Sequence, residues 1–123
     1  MTGMNPTPIE EKVKACIEEM LDPKKAEAAY KKLEKLGAKA VPAIIMNMDE
    51  RRDLPVKHIT LAIKSKNAFE AYRHYGPQKI IDVLAAILNQ ITGKSFGEIS
   101  NGGTGAQRTR VYEGWVAWLS DQK

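Results

Sequence analysis

The sequence predicts an all-α fold with five to six helices in a single domain over residues 8–119. Apolar residues recur at the spacing of an amphipathic helix in most segments of the 123-residue chain. Segment 77–92 is apolar around most of its circumference yet shorter than a membrane span, which is typical of a helix at the centre of a soluble helical stack. Proline-marked helix starts recur 32 to 35 residues apart, and a period of this size with two helices per unit indicates an α-solenoid.

The first helix is predicted to follow a flexible N-terminal segment at residues 1–7. Thr7 can cap it, Pro8 takes its first position and Glu10 completes a capping box. Its apolar face consists of Ile9, Val13, Cys16, Ile17, Met20 and Leu21. The lone cysteine excludes an intramolecular disulfide, and its place on this face favours a small buried side chain.

The next helices are predicted from proline and glycine signals. A second helix covers 23–36, with a solvated charged face, and ends at Gly37 in the left-handed conformation. A third helix is predicted over 41–49, a fourth over 55–63 and a short one over 68–75.

The central helix is bracketed by Pro77 just inside its start and Gly93 just past its end. A glycine-rich, mobile loop is expected at 97–105 because four glycines fall within nine residues. The last helix is predicted over 106–119, followed by a tail at 120–123.

Trp115 and Trp118 lie three residues apart on one face of the last helix. Such a pair can be an exposed anchor for a partner, since tryptophan dominates interface hot spots. Packing in the core, with the indole N–H groups reaching polar partners at its rim, is the preferred interpretation.

One segment resembles a known repeat. Residues 33–45 have the sequence Leu-Glu-Lys-Leu-Gly-Ala-Lys-Ala-Val-Pro-Ala-Ile-Ile, and they resemble the hinge of a HEAT repeat, which commonly has Leu-Gly-x-x-Ala-Val-Pro-x-Leu. Residues 84–97, followed by 108–111 and 115–118, are similar to the C-terminal end of small bacterial HEAT-like proteins of unassigned function. The resemblance covers roughly residues 22–119 and implies a HEAT-like stack of helical hairpins without implying an activity. The interrupted region 64–76 departs from the pattern and makes the second repeat irregular.

The net charge of +4 is unevenly distributed along the chain, with −1 over residues 1–50 and +5 over residues 51–123. A basic second half permits attraction to nucleic acid or another polyanion, although an ordinary solvated surface also explains it. Phosphate binding requires such charges to cluster on one face. The candidate binding residues are Arg51, Arg52, Lys64, Lys66, Arg73, Lys94, Arg108 and Arg110.

The glycine-rich loop is a second candidate site. Its central residues are Asn101, Gly102, Gly103, Thr104 and Gly105, and they directly precede a predicted helix. Backbone N–H groups there could bind an anion with help from the nearby arginines, and a plain connector is the alternative.

Catalytic and metal-binding patterns are weak. The two histidines, His58 and His74, stand in separate segments without ligand spacing, so neither a metal nor another cofactor is expected. Gly93-Lys94-Ser95 ends like a phosphate-binding loop but lacks the glycine five residues earlier. Asp82 is an acid on the most apolar helix, and a structural ion pair with Arg73, Arg108 or Arg110 is preferred over an active acid.

These observations favour a non-enzymatic module that binds another protein, since helical hairpins present continuous ridges. Nucleic-acid or other polyanion binding is the alternative, and a toxin-neutralising, immunity-type inhibitor is a further one. No apolar run occurs at residues 1–8, so neither a signal peptide nor a membrane span is expected. The cytoplasm is the default compartment, with a periplasmic or lipoprotein origin left open if a leader has been removed.

Overall fold

The computed structural model describes residues 7–55, 59–62, 72–99 and 101–122. These residues form helices α1 (Pro8–Glu19), α2 (Ala26–Leu36), a 3-10 turn (Gly37–Ala40), α3 (Val41–Asn47), strands β1 (Ile59–Ala62) and β2 (Tyr72–Tyr75), and helices α4 (Ile80–Thr92) and α5 (Gly105–Asp121). The predicted helical class is therefore confirmed for the main body of the described chain. Buried residues from all five of the α-helices in the described ranges form one hydrophobic core.

Helix α1 begins with the predicted Thr7 cap and Pro8, without the predicted capping box from Glu10 among the described contacts. The Thr7 hydroxyl accepts the backbone N–H of Glu10 at 3.2 Å, and Pro8 is the first helical residue. Val13, Cys16 and Ile17 are buried, which confirms the predicted apolar face at these positions. The first helix thus forms where capping and periodicity agree.

Helix α2 buries one face and ends at Gly37. This glycine has φ 72° and ψ −156°, so its φ is positive as expected, but its ψ lies outside the left-handed helical region. The 3-10 turn follows, and Pro42 then occupies the first turn of α3, where its missing N–H leaves no intrahelical bond unmade.

Helix α4 lies at the centre of the fold. Every residue from Ile80 to Leu88 is buried, as the all-round apolar pattern predicted. The helix ends at Gly93 in the left-handed conformation (φ 75°, ψ 8°), which is also as expected. Its start differs, because Pro77 lies three positions before the first helical residue and so outside the helix.

The helices predicted over 55–63 and 68–75 are wrong at the residues described there. Residues 59–62 and 72–75 pair as antiparallel strands, with Ile59 opposite Tyr75 and Ala62 opposite Tyr72. The backbone before and after the hairpin is already paired, since Leu54 N–H donates to Gln78 O at 2.9 Å. This hydrogen bond holds the two chain segments side by side close to β1 and β2. The β-branched and aromatic residues of the two strands also favour strand over helix.

Helix α5 covers the core with aromatic residues. Trp115 is fully buried and makes edge contacts with Phe96 (ring centroids 4.7 Å apart) and Trp118 (5.5 Å). Core packing is therefore confirmed for Trp115, whereas Trp118 is partly exposed. The expected hydrogen bond is wrong for Trp115, because its Nε1 is buried without an acceptor among the described residues.

Candidate interaction surface

Arg51 and Arg52, two of the predicted binding residues, are bound to neighbouring parts of the chain. Arg52 Nη2 contacts Glu18 Oε2 at 2.6 Å and Glu50 Oε1 at 2.8 Å. The hydrogen bonds from Arg52 lower the pKa of both carboxyl groups. Arg51 Nε binds Asp49 Oδ1 at 2.9 Å, and its Nη2 donates to Thr109 Oγ1 at 2.9 Å. Both arginines therefore join elements of the fold.

Arg108 is buried, which corrects its placement among surface residues. It is 5% exposed, and its Nε and Nη2 donate to Asp82 Oδ1 and Oδ2, each at 2.8 Å. The expectation that Asp82 forms a structural ion pair is confirmed. The pair joins α4 to α5, and it leaves the guanidinium no exposed face for an external phosphate.

The glycine-rich loop is tied to the fold through its polar groups. Asn101 Oδ1 accepts the backbone N–H of Gly76 at 2.6 Å, and Gly103 O accepts from Arg108 Nη1 at 2.6 Å. Thr104 Oγ1 accepts Gln107 N–H at 3.0 Å, while the Gln107 side chain accepts Thr104 N–H at 2.8 Å. The capping box thus occupies N–H groups that an anion would need.

The other predicted binding residues are two glycines of the loop and five basic residues. Gly102 has φ 98°, and Gly105 is the first residue of α5. Lys94 and Arg110 are exposed, on either side of the loop in sequence. Lys64 and Lys66 lie outside the described residues, and Arg73 is in β2. Whether the loop is mobile, and whether it binds an anion, stay predictions.

A groove between α1 and α2, which the sequence analysis missed, is the best candidate site. It opens to solvent and has a volume of about 440 Å³. Its apolar lining comes from Ala15, Cys16 and Leu36. Its charged lining comes from Lys12, Lys32, Lys35 and Glu19. We call this set the α1–α2 groove.

The helical spacing explains why these residues meet. Lys12, Ala15 and Glu19 follow one face of α1, and Lys32, Lys35 and Leu36 follow one face of α2. The α2 face was predicted to be merely solvated. Ala15 is the missed signal, because it is an exposed small residue directly before the buried Cys16 and leaves room between the helices.

The charged groups of the groove are mostly basic. Among the described lining residues, three lysines face one glutamate, so their sum is +2 (3 − 1). Lys32 Nζ lies 3.5 Å from Glu19 Oε1, and such an exposed pair is weakly bound. Burial, and secondarily the charge of Glu19, raises the pKa of the Cys16 thiol, which keeps it neutral and a poor nucleophile.

Comparisons with known proteins give no relative from which a function can be transferred. No known protein family matches the sequence, and no curated protein or solved structure is detectably similar to it. Within the described ranges, no helix is long and apolar enough to cross a membrane. The same residues contain no group of three or more His, Cys, Asp or Glu side chains that could hold a metal ion. Function is therefore inferred from the geometry and charge of the α1–α2 groove.

Proposed function

We propose that the protein is a non-enzymatic binding module that recognises another protein through the α1–α2 groove. The observation that supports this most is the combination of an open apolar channel with a charged border, formed by two helices that are otherwise packed on the core. An apolar centre inside a polar rim is the usual anatomy of a protein interface.

Two features favour binding over catalysis. The carboxylate of Asp82 already accepts bonds from Arg108 and from the backbone N–H groups of Gln78 and Lys79, at 2.8 to 3.1 Å, so it is poorly placed to exchange a proton with a substrate. The Cys16 thiol has a raised pKa, which disfavours the reactive thiolate. These two groups are therefore better explained as structural.

We also propose a HEAT-like arrangement of the first three helices. Its support is the hinge-like sequence at 33–45, the positive φ of Gly37 and the position of Pro42 in the first turn of α3. Hairpins of this kind present grooves between successive helices, which is where the candidate surface lies. The second predicted repeat is interrupted by β1 and β2, so we restrict the proposal to α1–α3.

Polyanion binding is the less favoured alternative. Arg51, Arg52 and Arg108 are bound to carboxylates of the same chain, which removes three of the expected phosphate contacts. An immunity-type inhibitor is a special case of protein binding, in which the captured partner would be a toxin. Identification of the partner distinguishes these functions.

Affinity capture from the source cell tests the proposed function with a matched pair of variants. Ala15→Glu places a carboxylate inside the groove, and Ala28→Glu makes the same change at an exposed position of α2 outside it. We expect wild type and Ala28→Glu to retain the same proteins and Ala15→Glu to lose them, with both variants folded like wild type by circular dichroism. Equal capture by wild type and both variants would contradict the proposal.

A further inference from the structure

We infer that the partner presents an acidic amphipathic helix to the α1–α2 groove, with an apolar stripe that enters the groove and carboxylates on both of its borders. This inference rests on the proposed function and adds the chemistry of the bound segment. Laying the apolar face of a helix into a hydrophobic groove is a recurrent mode of peptide recognition. The groove requires two properties of its occupant, apolar contact and negative charge, and each requirement comes from a different set of groove residues.

The apolar requirement comes from the groove's interior. Ala15 is exposed, Leu36 is partly exposed and Cys16 lies beneath them with only 4% of its surface accessible. These side chains offer aliphatic and thiol surface without an acceptor or donor that needs a polar ligand. An occupant therefore gains free energy by inserting aliphatic side chains there.

The charge requirement comes from the lysines on both borders. Lys12 belongs to α1, whereas Lys32 and Lys35 belong to α2. Lys32 and Lys35 are three residues apart, so their positions are separated by about 4.5 Å along the helix axis. Carboxylates three or four residues apart on a partner helix have a matching separation. The Lys32–Glu19 contact at 3.5 Å is exposed and can exchange for a carboxylate of the partner.

The apolar interior also distinguishes a protein from a nucleic acid. A phosphate backbone would satisfy the lysines but would leave Ala15 and Leu36 facing a charged, hydrated surface. Base stacking would require exposed aromatic side chains, and the described residues that line the groove include none. An acidic helix satisfies both parts of the lining.

A second copy of this chain is another occupant that the test must recognise. Helix α5 has an exposed stripe containing Glu113, Val116 and Asp121, and Val116 is 42% exposed. Insertion of this stripe into the α1–α2 groove of a second copy would make a head-to-tail contact, and repeated contacts of this kind produce rings or filaments. Sedimentation at increasing protein concentration measures such self-association directly.

Peptide titration tests the inference with defined probes. The first probe is a synthetic amphipathic peptide of about five helical turns, with leucine and alanine on one face and glutamate beside them. The second replaces each glutamate by lysine, and the third is a short duplex DNA. We expect the protein to bind the acidic peptide at least about tenfold more tightly than the basic one, with an affinity that falls as salt is added.

Charge reversal locates the binding. The double variant Lys12→Glu with Lys35→Glu should weaken the acidic peptide at least about tenfold. The control, Lys14→Glu with Lys39→Glu, changes net charge equally at exposed residues outside the groove and should stay within about twofold of wild type. Ala15→Glu should also abolish peptide binding.

Four results would overturn the inference. The first is an affinity for the acidic peptide no higher than that for the basic one, and the second is an equal loss of peptide affinity in the groove double variant and its control. The third is binding of the duplex DNA but of neither peptide. The fourth is self-association of the wild-type protein that is abolished in both Ala15→Glu and Val116→Glu. If Ala15→Glu abolishes capture of the cellular partner while Lys12→Glu with Lys35→Glu has no effect, the proposed function survives and the acidic helix does not. If Ala15→Glu leaves cellular capture intact, the proposed function itself fails.

Discussion

Arg108 meets Asp82 through two hydrogen bonds of 2.8 Å inside the core, where Asp82 has no solvent-accessible surface. The same carboxylate accepts the backbone N–H groups of Gln78 and Lys79 just before α4. Arg108 also donates to Gly103 O in the glycine-rich loop. One buried ion pair therefore connects the central helix, the last helix and the loop between them.

Replacing Arg108 by methionine should destabilise the protein by about 3–5 kcal/mol, because it leaves a buried carboxylate without its charged partner. Urea denaturation monitored by circular dichroism measures the change in the free energy of unfolding. Arg110→Met is the matched control, since Arg110 is exposed two residues later, and it should change stability by no more than about 0.5 kcal/mol. A loss below about 1 kcal/mol for Arg108→Met would show that the pair adds little to stability.

Gly114→Ala should destabilise α5, although alanine is favoured over glycine in an ordinary helix by about 1 kcal/mol. A Cβ at position 114 would lie 2.7 Å from Phe96 Cβ, which is attached to the backbone and cannot rotate away. The contact between Phe96 and Trp115 would be disturbed, so near-ultraviolet circular dichroism should change as the melting temperature falls.

Gly105→Ala is the control for that prediction. Among the described residues, its added Cβ would meet Arg51 Nη1 alone, at 3.9 Å, which is an ordinary contact. We expect the melting temperature of this variant to equal or exceed that of wild type. A rise in melting temperature for Gly114→Ala would mean that Phe96 can be displaced at little cost.

Thr104→Ala should cost about 1 kcal/mol, because the hydroxyl accepts Gln107 N–H at the start of α5. Ser120→Ala serves as the control, since Ser120 is exposed near the opposite end of the same helix. Chemical denaturation of the two variants compares the losses directly. Equal stability would indicate that water replaces the Thr104 hydroxyl at no cost.

Tyr30 should make the protein sensitive to alkali. Burial raises the pKa of its hydroxyl from 10.0 to about 12, so the unfolded chain loses this proton at lower pH than the folded protein. Because the pKa of Tyr30 is raised in the folded state, the stability that its neutral hydroxyl contributes is fully present below pH 10 and is lost as pH rises towards about 12. Denaturation at several pH values across this window measures the loss.

The Tyr30→Phe variant isolates the contribution of that hydroxyl. Its free energy of unfolding should fall less steeply than that of wild type between pH 10 and about 12, since phenylalanine has no proton to lose. Tyr112→Phe, at a partly exposed position of α5, is the control for the loss of one tyrosine hydroxyl elsewhere in the fold. Identical slopes for wild type and Tyr30→Phe would contradict the assignment.

The sequence predicted the elements that depend on neighbouring residues. The start of α1 follows from Thr7 and Pro8, the end of α4 from Gly93, and the burial of α4 from its own apolar pattern. These signals act within a few turns of one helix, so no distant part of the chain is needed to interpret them. The helical class and the burial of Trp115 were therefore predictable.

The hairpin was decided by tertiary structure, because β1 acquires its hydrogen bonds from β2 and not from itself. In the sequence, Val56, Ile59, Ala62 and Ile63 fit a helical spacing, so periodicity alone favoured a helix. Leu54 N–H bonds Gln78 O, and Ile80 N–H bonds Arg52 O, across more than twenty residues of sequence. Pairing at that distance has no local signature.

The sequence alone determined the helical character of the chain, the start of α1, the end of α4, and the acid on α4 that needed a cationic partner. Only the tertiary structure decided that Arg108 is that partner, that residues 59–62 and 72–75 form strands, and that α1 and α2 enclose a groove. The physical reason is the range of the interactions. Periodicity and capping are local, whereas ion pairs, strand pairing and grooves depend on which distant surfaces the packed core brings together.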